Sequence, residues 1–349
     1  MASQSLPETL EPTDVGLKRE LGLIGATWAS ETSIIGSGWL FAPLTAVLLI
    51  GGGAVIDWLV AGVIVIALAL CHAELGAMYP VSGGTARFPH FAFGSIAGIF
   101  FGFFAYMQAV TIAPIECYAF VTYASYYWPS LYSVKEGKIT GAGLWVTVGL
   151  MAVFTAINFL AMRLFNRVNI VVTWWKVAIP VIAIIVLLFK FNGANFTAGG
   201  AGFFPGGIRG LTAALPLSGI IFAYSGFEQC DQLAGEIKDP GRNLPRAIII
   251  SILIGTAIYV LLQIVFIGAL PASANGHGLQ HITNPEILAG PFAAVAALGG
   301  ITWLAHILRI DAFVSPSGTG LIYTTGTAAG RPGRTGTRRS ARPTVRRWR

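Results

Sequence analysis

Apolar residues run in blocks of about 20 or more along most of the chain, separated by short polar or Pro/Gly clusters. Such a block crosses roughly 30 Å of hydrocarbon as a helix, whereas a β-barrel needs short alternating segments. The pattern predicts eight spans, at about 21–49, 54–78, 94–128, 141–161, 165–191, 210–236, 246–270 and 294–327. The third and eighth are long enough to require tilt or an interfacial first turn. The expected fold is therefore an all-α polytopic membrane protein. Within the first span, "SIIGSGWLF" (Ser33 to Phe41) puts two glycines and a serine where a membrane helix favours leucine.

Composition strengthens this picture. The chain is 55% hydrophobic and 11% charged, with a mean hydropathy of +0.71, against roughly 25% charged residues in a soluble domain. A net charge of +7 raises the question of nucleic-acid binding, but eight arginines and no acids lie between Gly330 and Arg349, and the remainder holds 14 basic against 15 acidic residues. The basic character belongs to the tail, and no nucleic-acid partner is expected. Cys71, Cys117 and Cys230 sit in or beside apolar runs at unrelated spacing, as small core residues do, and imply neither disulfides nor a metal. The first 20 residues carry acids and no apolar core before Leu21, which predicts a cytoplasmic arm rather than a cleavable signal. With that arm inside, the short inner loops hold eight lysines and arginines and the outer ones four, so a multi-pass cell-membrane protein with a cytoplasmic N-terminus is expected.

The break in the first span has a counterpart. The sixth span, "LPLSGIIFAYSGFEQCDQLAGEIKDPGRNLPRAI" (Leu215 to Ile248), loosens around Ala223 to Gly226, and Ser37 and Ser225 are 188 residues apart, five spans on. Inverted repeats that each contain one discontinuous helix have this form. Unwound backbone in hydrocarbon costs several kcal/mol per unpaired group unless something polar is bound there. A half-helix starting near Trp39 would point its positive N-terminal end at the gap, and one ending near Ile35 would present carbonyls, which suits the carboxylate and ammonium of an α-amino acid. Glycines that merely allow close helix packing are the alternative.

These segments resemble the amino acid-polyamine-organocation (APC) superfamily of permeases. "AGEIKDPGRNLPRAI" is similar to its sixth-helix signature, "GSGWLF" to its broken first helix, and "AELGAMYPVSGGTARFP" (Ala73 to Pro89) to its second-helix end and following loop. The resemblance runs colinearly from about Leu17 to Ala328 and implies a LeuT-type inverted-repeat fold with helices 1 and 6 discontinuous. It further implies that Gly36, Ser37, Gly38 and Trp39 bind a substrate carboxylate through backbone N–H groups. Ile35, Phe222, Ala223 and Ser225 would offer carbonyls to the ammonium, with Gly226 in the same unwound turn, and Tyr224 and Phe227 would help close the site.

Charges inside the apolar runs come next. Lys176, in "NIVVTWWKVAIP", lies about 11 residues into the fifth span, and an intramembrane lysine costs about 2.5–3.5 kcal/mol to insert. The resemblance implies a proton-coupling role, the lysine standing where sodium-coupled relatives bind sodium, with Ser315 and Ser317 lining the same position. Snorkelling to an interface is the other reading. Glu31, Glu116 and Arg309 are further ionisable residues within spans. Arg309 either faces an acidic substrate side chain or pairs with Glu31, Glu116 or Asp311 for structure. No HExxH, G-x-S-x-G or P-loop spacing occurs, so no enzyme, metal or cofactor is expected beyond a coupling proton.

The repeat arithmetic calls for a ninth span near residue 329, where "GRPGRTGTRRSARPTVRRWR" stands instead. Its composition resembles a GC-rich gene read in another frame; a polybasic segment binding anionic lipid is the alternative. The expected organisation is an arm at 1–20, a permease domain at 21–328 and an Arg-rich tail at 329–349. The function expected is proton-coupled transport of an amino acid, or else a truncated, nontransporting permease fragment. The sequence leaves the particular amino acid and the oligomeric state open.

Overall fold

A computed structural model of the chain describes residues 19–329, apart from Ser82, Ala161 and Ala201. The expected arm, but for Arg19 and Glu20, and the expected tail, but for Ala329, lie outside the described residues.

The described chain is helical throughout except for one small hairpin. Its helices are α1 (Leu23–Ile34), α2 (Gly38–Ile50), α3 (Ala54–Met78), α4 (Gly84–Phe93), α5 (Ser95–Ala124), α6 (Gly141–Leu160), α7 (Met162–Leu188), α8 (Gly207–Leu217), α9 (Ile220–Ala223), α10 (Gln229–Gln232), α11 (Pro240–Gly268), α12 (Ala272–Asn275), α13 (Pro285–Ala289), α14 (Pro291–Leu298) and α15 (Thr302–Ala329). The two-residue strands β1 (Tyr132–Ser133) and β2 (Lys138–Ile139) pair antiparallel between α5 and α6. Their side of the molecule is called the hairpin face below. The 30 residues of α5 run about 45 Å from the hairpin to the chain turn that joins it to α4.

Among the described residues, three stretches are long and apolar enough to cross a bilayer: Gly38–Met78, Ser95–Ala124 and Pro240–Gly268. A bent pair, Val172–Leu188 with Gly193–Gly200 at 73°, makes a fourth if it counts as one span. The protein is thus a multi-pass helical membrane protein, with fewer uninterrupted apolar spans than the eight expected. The reasons are local. The first run is cut at Ile35–Ser37, the sixth falls into the pieces α8, α9 and α10, and the eighth, α15, carries Arg309 and Asp311. On α5 the phenylalanines 100, 101, 103 and 104 lie exposed, as a face turned to lipid requires.

Packing divides the helices into two groups. The first joins α1, α2 and α3 to α11; the second joins α5 and α6 to α15, with α7 touching both α11 and α15. The start of the first run and the end of the sixth are tied by backbone pairing of Leu21 with Ile237, through Leu21 N–H to Glu236 O at 3.0 Å and Lys238 N–H to Leu21 O at 2.8 Å. At the heart of the first group, Trp58, Tyr224 and Tyr259 are fully buried against one another, with ring centroids 4.8–6.0 Å apart. Each spends its polar tip on a partner: Trp58 Nε1–H donates to Gln263 Oε1 at 2.9 Å, and the Tyr224 hydroxyl to Trp58 O at 2.9 Å.

Candidate functional site

Two interruptions meet at the centre. The first lies between Ile34, where α1 ends, and Gly38, where α2 begins; the second follows α9 at Tyr224 to Glu228. They touch closely enough that a Cβ on Gly38 would stand 2.7 Å from that of Ala223. Gly226 adopts φ 119°, and a Cβ there would lie 2.6 Å from the carbonyl carbon of Ser33. Only glycine combines that dihedral with that approach.

The first four N–H groups and last four carbonyls of a helix have no partner within it, and at both breaks buried side chains supply one. Ser37 N–H donates to the Glu116 carboxylate, at 3.0 Å to Oε2 and 3.3 Å to Oε1. Glu116 reaches in from α5 and is 2% exposed. At the second break Gly226 N–H donates to Glu228 Oε2 at 2.8 Å, while Glu228 Oε1 accepts from Gln108 Nε2 at 2.8 Å. The carbonyls share one hydroxyl, and Ile34 O also accepts from Gly36 N–H at 3.0 Å. Tyr259 of α11 bridges Ile34 O at 2.8 Å and Ala223 O at 3.0 Å, so one side chain holds the open ends of both half-helices.

Between the breaks lies a space of about 10 Å³, room for a single water at most, bordered by Ser33, Ile34, Gly36, Gly38, Ala223 and Ser225 among others. Toward the hairpin face a cavity of about 380 Å³ opens from Ser37, Gly38 and Phe222, past Phe41 and Tyr118, to Tyr132 and Val134 of the hairpin. Toward the opposite face a cavity of about 170 Å³ is lined by His72, Tyr224, Ser225, Phe227 and Glu228. His72 Nδ1 lies 2.8 Å from Asp231 Oδ2 there, and its ring meets Phe227 edge-on with centroids 5.3 Å apart.

The residues expected from the sequence divide into those brought to this gap and those placed elsewhere. Gly36, Ser37, Gly38, Phe222, Ala223, Ser225 and Glu116 line it. Ile35 is fully buried next to it, and Trp39 turns its ring away onto Phe292, centroids 5.1 Å apart. Tyr224 points toward α3, and Phe227 toward the His72 cavity. Lys176 is fully buried, and its ammonium donates to Thr32 O near the end of α1 and to Thr319 Oγ1 of α15 at 2.5 Å. It therefore bridges α1 and α15, within electrostatic reach of Glu116 and Asp311. Ser315 instead donates to Asp311 Oδ1 at 2.6 Å, and Asp311 also accepts from Trp175 Nε1 at 2.9 Å. Ser317 is half-buried on the same helix. Glu31 is fully buried, and neither of its oxygens has a hydrogen-bond partner among the described residues.

Arg309 is not at the gap. It lines a separate cavity on the hairpin face, its guanidinium carbon 3.6 Å from the centroid of the Tyr126 ring. The sequence reading missed Thr319, Tyr259 and Glu228. Glu228 carried a signal, an acid directly after the second break; the other two had none beyond their place in an apolar run.

The described residues thus form a multi-pass helical membrane protein whose two interrupted helices meet over a small gap. The sequence comparison is specific: residues 21–331 match the model of the amino acid permease family, and the chain belongs to that family, within the APC superfamily. It is 38% identical over 319 residues to the glutamate/serine transporter AimA of Bacillus subtilis, an alignment covering 89% of this chain and 58% of that protein. It is 34% identical over 291 residues to the aspartate-proton symporter of the same organism, covering 83% and 55%. The branched-chain amino acid permease BcaP, also of Bacillus subtilis, is 27% identical over 306 residues, covering 85% and 62%. The chain thus spans roughly three fifths of the length of these curated relatives.

Proposed function

We propose that the chain carries the substrate site of a proton-coupled amino acid transporter of the plasma membrane, with the substrate held between the two helix breaks. The observation that carries the reading is the meeting of both breaks at Gly38 and Ala223, over a space that residues of both breaks line. In this reading the substrate carboxylate takes the N–H of Ser37 and the donors that follow it, and the ammonium takes the carbonyls now bridged by Tyr259. The 380 Å³ cavity is the entry route and the hairpin face is extracellular, which agrees with a cytoplasmic N-terminus.

The packing of α1, α2 and α3 with α11, apart from α5, α6 and α15, supports a LeuT-type arrangement in which one bundle moves against the other. On this view the eight apolar runs each cross the membrane, residues 21–328 form the permease domain, and the runs before and after it are separate segments. Lys176 sits where the two groups meet and would exchange a proton as they part. The names of the relatives, one for glutamate and serine and one for aspartate with a proton, support an amino acid substrate and proton coupling.

The test is uptake of labelled L-glutamate and L-serine into proteoliposomes under an imposed inward proton gradient, comparing the chain with its Lys176→Ala variant. Gradient-driven uptake that the variant loses is expected. A folded sample that neither binds nor accumulates either amino acid would end the proposal.

A further inference from the structure

The Arg309 cavity is distinct from the central gap. It has a volume of about 300 Å³ and is walled by Tyr123, Tyr126 and Tyr132, with Arg309 on one side and Glu286 at the rim. Arg309 is 5% exposed. Among the described residues, no carboxylate is paired with it within 4.0 Å. Its stacking on Tyr126 offsets part of the cost of burying a cation, and among the described residues the donors along the edge of the guanidinium meet no acceptor. A planar donor fork buried in this way fits a carboxylate, which it can hold by two parallel bonds.

Glu286 supplies the opposite charge. It stands in the first turn of α13, but Asn284 Oδ1 already caps that helix, accepting from Glu286 N–H at 2.9 Å and Ile287 N–H at 3.3 Å. The Glu286 carboxylate is therefore not used as a cap, and it is exposed at the mouth of the cavity. Burial and the neighbouring Tyr118 push the Tyr132 phenol up to about 12, so Tyr132 adds no charge at neutral pH. The two fixed charges of the cavity have opposite sign and form no salt bridge with each other. Tyr132 and Val134 line both this cavity and the one that leads to the helix breaks.

We infer that this cavity is a second binding site for an α-amino acid, which takes the carboxylate on Arg309 and the ammonium toward Glu286 before the molecule passes beneath the hairpin to the central gap. The choice of ligand rests on the function proposed above; the existence of the site does not. In a Cys71→Ser background, Ala289→Cys places a thiol in the cavity wall, and its rate of modification by a negatively charged methanethiosulfonate reports occupancy. L-Glutamate is expected to slow that reaction about tenfold at saturation, and Arg309→Gln to abolish the protection. Glu286→Gln, at an exposed position where folding is not at stake, is expected to weaken protection by L-glutamate severalfold while leaving that by N-acetyl-L-glutamate, which lacks the ammonium, unchanged. Equal protection with and without the Arg309 guanidinium, or none by L-glutamate, overturns the site. Saturable uptake without protection removes this site and leaves the central one; protection without uptake does the reverse.

Discussion

Replacing Glu116 by glutamine tests whether the protein's own carboxylate competes with the substrate. Ser37 N–H, the first donor of the half-helix that would receive a substrate carboxylate, is 3.0 Å from Glu116 Oε2. A hydrogen bond to a charged acceptor contributes about 1.5–3 kcal/mol, and a neutral acceptor roughly half as much. Compared with an ionised Glu116, glutamine keeps the volume and one oxygen but not the charge, so the substrate gives up about 1 kcal/mol less on displacing it, a gain of ~5-fold in affinity. The assay is equilibrium binding of labelled L-glutamate and L-serine to purified protein at constant pH, with thermal unfolding as the control for folding. Binding at least tenfold weaker in a folded Glu116→Gln variant would refute the reasoning and place Glu116 among the groups that hold the substrate.

Gly226→Ala meets both a positive φ and a contact of 2.6 Å with Ser33; a loss of at least ~2 kcal/mol is expected, seen as a lowered melting temperature in detergent, and unchanged melting would deny the close approach of the breaks. Tyr259→Phe takes the shared donor from Ile34 O and Ala223 O; stability should fall by about 1–3 kcal/mol, and a variant as stable as the parent would mean that water or lipid already serves those carbonyls. Lys176→Ala removes the bridge from α7 to Thr32 and Thr319 and the cation beside Glu116 and Asp311. Gradient-driven uptake should vanish and stability should drop by about 3–5 kcal/mol; uptake at the parent rate would exclude the coupling role.

The breaks are legible in the sequence because glycines inside an apolar run are a compositional mark, and the expected half-helix ends, Ile35 and Trp39, fall one residue from the observed Ile34 and Gly38. Lys176 is legible for a similar reason, as a lone charge in an apolar run. Its partner is not, because rotation of α15 about its axis decides which hydroxyl faces it. Ser315 and Thr319 share a helix face, but Ser315 gives its hydroxyl to Asp311 one turn earlier, leaving Thr319 for the lysine. The bond from Ser37 N–H to Glu116 spans 79 residues and uses a backbone donor, which no residue type marks. Arg309 illustrates the same limit: its position within α15 can be counted, but its neighbours are set by how the hairpin and α13 fold back over the end of the bundle.

The two glutamates give the central gap a common logic. Unpaired backbone donors at a buried helix start cost several kcal/mol, and the chain meets that cost at both breaks with its own carboxylates, Glu116 for Ser37 and Glu228 for Gly226. On the proposed reading, a substrate carboxylate arriving at Ser37 would exchange one hydrogen bond to a carboxylate for another rather than add one. Net affinity is set by the difference between the two, which keeps binding modest however well the site fits. A carrier requires that property, since a ligand held too firmly is not released on the far side. Tyr259 applies the same principle to the carbonyls, with one hydroxyl shared by Ile34 O and Ala223 O that a substrate ammonium would displace on the same reading. On the proposed reading, the gap of about 10 Å³ is a site closed on its own side chains, and a substrate entering along the 380 Å³ cavity would take over the backbone groups that Glu116 and Tyr259 now hold.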